Sequence, residues 1–397
     1  MLHMIRKAAY GLFVAVGLLK IVAGAQAQEV YIAGDCNRFT DVKYITDLVQ
    51  EPRVYGTFDV GIGWKTSGAE AARYNYPRVG VGVSYATLGQ CNFTPGSRMG
   101  DSFSLYGFFM RDLVQTGWFS AGYSIELGAA LMTHPYDKYS NPLNVVYGGP
   151  MTFHAKGGIY ALAQVTDRLA LGIEATYRHN SSCRLFIPNR GVNAYGCSIS
   201  ARYSIGNRTL EPGSGPASDP DLPLNARWRV SVFGAGGIHK CNAEYYADQL
   251  LPPEERSDPY TPWFKGSAGL EATWRYCRRT STALQLEVHY IANTEILKVC
   301  DERMYGSKDL EYSPWAPGIG FVQELYLGPF AAGAGAGVYL YRKVGIHEDH
   351  SRFYQKVYLR YYPPFLRSWF AGISMRAHTF NRADYLEFSV GKIIFSR

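Results

Sequence analysis

Three polar side chains in this sequence have types and spacing that suit acyl chemistry. His179 and Ser181 stand two residues apart in Tyr177-Arg178-His179-Asn180-Ser181-Ser182, and Asn193 follows Pro188-Asn189-Arg190-Gly191-Val192. On an extended strand, side chains at i and i+2 share a face and sit roughly 7 Å apart along the chain. A residue on the neighbouring strand can come within about 5 Å. In that layout His179 can take a proton from the Ser181 hydroxyl while Asn193 orients the imidazole, which is how a serine nucleophile is activated. By spacing alone, His-x-Ser at a strand end is more often an interfacial polar pair without chemistry.

The flanking residues say what must hold this group. In Leu169–His179 one parity carries Leu169, Leu171, Ile173, Ala175 and Tyr177, and the other carries Ala170, Gly172, Glu174, Thr176 and Arg178. His179 and Ser181 have the apolar parity. Asn193 opens the next run with the parity of Tyr195, Cys197 and Ile199. All three therefore point to the apolar side of a half-polar sheet. Such a cluster facing lipid is costly unless it is satisfied or used.

The same alternation recurs from Val54–Trp64 to Tyr385–Phe395 in fifteen runs, and Val30–Ala33 is a candidate sixteenth. Several runs reach the roughly 9–11 residues that a tilted strand needs to cross a bilayer. Short turns (115–117, 166–168, 277–280, 327–330, 363–367) alternate with long polar loops (89–101, 132–150, 180–192, 238–262, 297–315, 343–352). Short turns on the periplasmic side and long loops outside are the outer-membrane pattern. The expected fold is all-β, an outer-membrane antiparallel β-barrel of about sixteen strands in two halves of about eight. One large barrel and two tandem small ones both fit this reading. Pro, Gly, Ser and Asp crowd the stretch after residue 206, so 207–226 is expected to be a periplasmic linker between halves 28–206 and 227–397.

Composition agrees. Aromatic residues make up 15% of the chain, 42 residues are Gly and only 18% are charged, which is too apolar and aromatic for a disordered chain. Beyond the N-terminus no uninterrupted apolar run is long enough for a transmembrane helix, so a polytopic helical protein is excluded. Residues 1–27 read as a cleaved signal peptide: Arg6 and Lys7, an apolar stretch, then Ala25-Gln26-Ala27. Its removal takes away Arg6, Lys7 and Lys20, leaving 37 − 33 = +4 in place of +7. That excess suits lipid phosphates and is far from a nucleic-acid footprint. Seven cysteines leave at least one unpaired in a monomer, and no C-x-x-C spacing supports a metal site. His134, His239, His347 and His350 fall on or beside expected loops, whereas His289 and His378 share the inward parity.

The stretch H-x-S…P-N-x-G-x-N resembles the lipid A 3-O-deacylase (acyloxyacyl hydrolase-like) family of outer-membrane barrels. Pro135-Tyr136-Asp137, Asn141-Pro142-Leu143-Asn144, Leu359-Arg360-Tyr361-Tyr362 and Ala383-Asp384-Tyr385-Leu386-Glu387 add to the likeness. The downstream matches resemble the longer, roughly double-length members. The resemblance implies a cofactor-free serine hydrolase that cuts an acyl ester of lipid A, its partner in the outer leaflet, on the barrel's outer wall. It implies Ser181 as nucleophile and His179 as base. Ser182, with Asn180 and Asn189, is the candidate oxyanion or substrate-binding group. Shorter members carry Glu where this chain has Asn193, and an oxyanion-hole Asn where it has Ser182. Glu174 has inward parity and Asp137 lies on a loop, so neither is an obvious replacement acid. These departures keep a second expectation open: a non-catalytic barrel, either a narrow pore or a structural protein.

Overall fold

The computed structural model describes residues 29–40, 53–94, 96–205, 226–306, 310–347, 351–378 and 382–397. The expected signal peptide, and the linker through residue 225, lie outside the described residues. Two compact units are present, each a closed sheet.

The first unit contains β1 (Glu29–Phe39), β2 (Val54–Lys65), α1 (Gly68–Arg73), β3 (Arg78–Ala86), the short hairpin β4 (Asn92–Thr94) and β5 (Ser97–Arg98), and then β6 (Ser102–Gln115), β7 (Phe119–Met132), β8 (Met151–Gln164), β9 (Leu169–Ser181) and β10 (Val192–Ser204). Apart from the β4–β5 hairpin, each strand pairs antiparallel with the next, and β10 closes onto β1. The second unit contains β11 (Trp228–Lys240), α2 (Asn242–Asp248), β12 (Pro262–Arg275), β13 (Thr280–Ile291), α3 (Thr294–Tyr305), β14 (Trp315–Leu327), β15 (Phe330–Tyr339), β16 (Phe353–Tyr361), β17 (Trp369–His378) and β18 (Arg382–Ser396). Here β18 closes onto β11. The choice between one barrel and two is thus resolved as two barrels of eight strands each.

Eight strands leave a lumen only wide enough for side chains to fill. Both lumens are packed with paired charges. In the first, Arg178 donates from Nη2 to Asp59 Oδ2 at 2.8 Å and also binds Asp35, while Lys156 meets Glu126 at 2.6 Å. In the second, Arg360 grips both carboxylate oxygens of Glu271 at 2.8 and 2.9 Å, and Lys265 reaches Asp384 at 2.6 Å. Removing one member of such a buried pair typically costs about 3–5 kcal/mol, because the other is left uncompensated. The outside is the reverse: Leu105, Leu127, Ile159, Ile173 and Ile199 are each more than half exposed. That apolar wall meets lipid, and Trp228 stacked on Trp274 at 6.0 Å belongs to the aromatic girdle near the short turns. Among the described residues, no helix is long and apolar enough to cross a membrane.

Several sequence expectations needed correction. The Val30–Ala33 run lies in the first half of an eleven-residue strand. The strand continues through Asp35 and Asn37, which are buried and bound to Arg178 and Thr57. The long connections 241–261 and 292–314 hold α2 and α3. His239 is not solvated but fully buried within β11.

Candidate active site

The end of β9 and the start of β10 bring the His179 and Asn193 backbones directly opposite each other. Their side chains meet: His179 Nδ1 lies 2.7 Å from Asn193 Oδ1. A carbonyl oxygen can only accept, so Nδ1 carries the hydrogen and the neutral ring keeps its lone pair on Nε2. That is the tautomer a general base needs. Asn193 is itself anchored, because its backbone carbonyl accepts from Thr40 N at 3.0 Å and Thr40 Oγ1 at 3.3 Å.

Ser181, the last residue of β9, follows on the same face as His179 and is only 4% exposed. Its hydroxyl is engaged by the Asn189 amide, whose Nδ2 donates to Ser181 Oγ at 3.1 Å. Asn189 Oδ1 also accepts from the Ser182 backbone N–H at 2.9 Å. The Asn189 side chain therefore bridges the hydroxyl and the first amide beyond it. An N–H group held this close to a nucleophilic oxygen can stabilise negative charge developing on a carbonyl that the oxygen attacks.

The returning segment is set by Gly191. Its φ of +67° suits glycine, and an added Cβ would lie 2.8 Å from the Asn180 carbonyl and 3.3 Å from Ser181 Cβ. Its N–H, and that of Arg190, donate to the carbonyls of Val146 and Val145. That second loop is braced by Asn144, whose Oδ1 accepts from the Val146 and Tyr147 N–H groups while its Nδ2 donates to the His134 carbonyl. Asn141 donates to the carbonyls of Arg98, His134 and Pro135. The Asn141-Pro142-Leu143-Asn144 motif thus supports the segment packed on Ser181. Spacing alone does not reveal this role.

Asn180 is not brought to this face. It is buried, contacts His154 Nδ1 at 3.3 Å and lines a small interior cavity with Arg178 and Tyr147. As an oxyanion or substrate group it is corrected: the period-2 alternation that sends His179 outward sends Asn180 into the lumen. Glu174 also faces inward, 3.8 Å from Lys156 Nζ. Asp137 is held by its own turn through Ser140 and the Tyr139 N–H, and the Ser140 bonds keep its carboxyl below the usual carboxylate range. No described group of three or more His, Cys, Asp or Glu residues could hold a metal ion.

Residues 227–396 match the family described as acyloxyacyl hydrolase, C-terminal domain. That match spans the second barrel, so the second barrel is similar to the C-terminal domain of acyloxyacyl hydrolases. The matched half is not the half that carries His179, Ser181 and Asn193, which form the chain's single His-x-Ser and its partner. No curated protein sequence matches the chain. Similar solved structures include the outer-membrane enzyme PagL, at 13% identity over 43% of this chain and 97% of that one, with a TM-score of 0.28. The NanC porin follows at 6% identity, 92% and 100% coverage and a TM-score of 0.15. Acinetobacter baumannii Omp33 is 8% identical over 93% and 99%, also with a TM-score of 0.15. Scores this low leave the architecture of the chain to rest on its own strand pairing.

Proposed function

We propose that the chain is an exported outer-membrane carboxylic ester hydrolase that removes the ester-linked acyl chain at the 3-position of lipid A. His179 Nε2 takes the Ser181 proton as Oγ attacks the ester carbonyl. The tetrahedral oxyanion then collapses to an acyl-serine and expels the sugar hydroxyl, which receives the proton. Water, deprotonated by the same imidazole, releases the fatty acid. The Asn189 Nδ2–H is assigned to the oxyanion, together with backbone N–H groups of the turn after Ser182. No cofactor is required, and the membrane itself holds the substrate beside the wall.

The observation that carries this reading is the 2.7 Å contact that fixes the His179 tautomer on the outward face of β9. Mass spectrometry of lipid A from cells making the protein tests it. Loss of one hydroxyacyl group is expected, and Ser181→Ala and His179→Ala should each abolish that loss. Unchanged lipid A with intact protein in the membrane would reject the activity.

One second reading has its own support. Ser181 is buried with its hydroxyl bonded to Asn189, and Asn193 cannot offset imidazolium charge as a carboxylate would. Both features suit a barrel that keeps the fold without turnover. A pore is less well supported, because both lumens are filled by paired side chains.

A further inference from the structure

The caps of the second barrel contain a pair of cysteines that the esterase reading does not use. Cys241 immediately precedes α2, and Cys300 lies in α3 on the face that also buries Thr294, Leu297 and Asp301. The two helices pack together, and both cysteines lie in one small cluster with Ala243, Ala247 and Leu297. Cys241 is fully buried and Cys300 is 4% exposed, each as a thiol in this structure. Burial and the neighbouring Cys241 push the Cys300 thiol up to about 12. The fully buried part of this cap core is two alanines, one leucine and two thiols, with Trp263, Ile296, Met304 and Tyr312 packed partly buried around it, so a covalent link between the helices would add to a small core. Both segments belong to the long connections, the end expected outside the cell, where thiols oxidise and persist as disulfides.

We propose that Cys241 and Cys300 are a disulfide site that staples α2 to α3 across the cap of the second barrel. This rests on the chain being exported, and it is independent of catalysis at Ser181. The co-reactant is a small or protein disulfide, such as oxidised glutathione or the disulfide form of a periplasmic thiol oxidase. One cysteine thiolate attacks the oxidant's S–S bond and expels a thiolate, giving a mixed disulfide. The second cysteine thiolate attacks the protein sulfur of that bond and displaces the second thiolate. Two electrons pass from the protein thiols to the oxidant, and the two protons released end on the leaving thiolates. Because the folded cap hides both sulfurs and disfavours their thiolates, exchange occurs before or during the docking of α2 on α3.

Strand register offers a competing pair. Cys36 and Cys197 are directly opposite on β1 and β10, both exposed on the outward wall. Thr40 N donates to Asn193 O four residues along each strand, so by the two-residue alternation this is a hydrogen-bonded position. Its Cα atoms are about 5.5 Å apart, which a disulfide can span, but the sulfurs face lipid, where a thiolate does not form. These two are expected to stay reduced.

The test is a peptide map of the full chain, refolded in detergent with oxidised glutathione, denatured in an alkylating agent and digested without reductant. A linked peptide containing Cys241 and Cys300 is expected, with alkylation of both falling at least ten-fold relative to a dithiothreitol-treated control. Cys277, exposed at a short turn, serves as the accessible-thiol control. Separate alkylated Cys241 and Cys300 peptides from folded protein would overturn the proposal, as would a Cys36–Cys197 link in place of theirs. The same map on protein recovered from cell envelopes separates the premise from the site. A link formed in glutathione but missing in the envelope supports the site and counts against export to an oxidising compartment. Because the wild-type chain is read directly, no variant has to fold; Cys300→Ser adds a check, since Cys241 should then become fully alkylated.

Discussion

At the scale of single residues, the question is what an amide can do where a serine hydrolase ordinarily places an acid. Asn193 fixes the ring of His179 as a carboxylate would, but it contributes no charge to balance an imidazolium. Loss of the orienting carboxylate costs about 10⁴ in rate in a serine protease. Asn193→Glu is therefore expected to raise ester hydrolysis at least ten-fold; an unchanged or lower rate in detergent assays would place the limit elsewhere. Asn189 gives a sharper split. As an oxyanion donor, its replacement by Ala should lower kcat by about 10²–10³ with little change in KM. As a clamp that merely shields Ser181, its loss should raise the rate. The parity of Asn180 was legible from Arg178 two residues earlier, and applying it would have removed Asn180 from the candidate set. The Asn189 contact was not legible, because it depends on the path of a loop pinned by backbone carbonyls of another loop.

At the scale of elements, strands were readable and helices in loops were not. Alternation and turn residues marked all sixteen barrel strands, although β8 begins five residues before its most regular stretch and β1 hides behind buried Asp35 and Asn37. The helices α2 and α3 sit in polar connections whose local pattern is overridden by packing of one helix on the other. That cap carries a pH dependence. Burial, with the nearby Asp248 charge, raises Glu244 of α2 to about 7 from an ordinary value near 4.5. A neutral Glu244 is thus favoured in the folded cap, while the unfolded segment ionises near 4.5. The resulting stabilisation is full below about pH 4.5 and is lost as pH rises towards 7. Limited proteolysis within 241–261 should be slower at pH 5 than at pH 8, and Glu244→Gln should flatten the difference. An equal pH response in that variant would refute the assignment.

At the scale of the whole molecule, the strand count was legible but the closure was not. Whether sixteen strands make one ring or two depends on β10 meeting β1 and β18 meeting β11, pairings between segments far apart in sequence that leave no local mark. Two closed rings predict modular behaviour. A fragment covering 226–397 should refold in detergent and migrate differently on a gel with and without boiling, as folded barrels do. Half of a single larger sheet would not. The family match on this half and the His179 cluster on the other also divide the labour of proof: mutations in the second barrel test ancestry and stability, and those in the first test chemistry.

The charged pairs that fill each lumen have one more consequence. With Arg178 tied to Asp35 and Asp59, and Arg360 locked onto Glu271, a translocating ion would have to break buried ion pairs in either lumen. Cells that display large amounts of this protein should therefore keep their permeability barrier to small antibiotics intact.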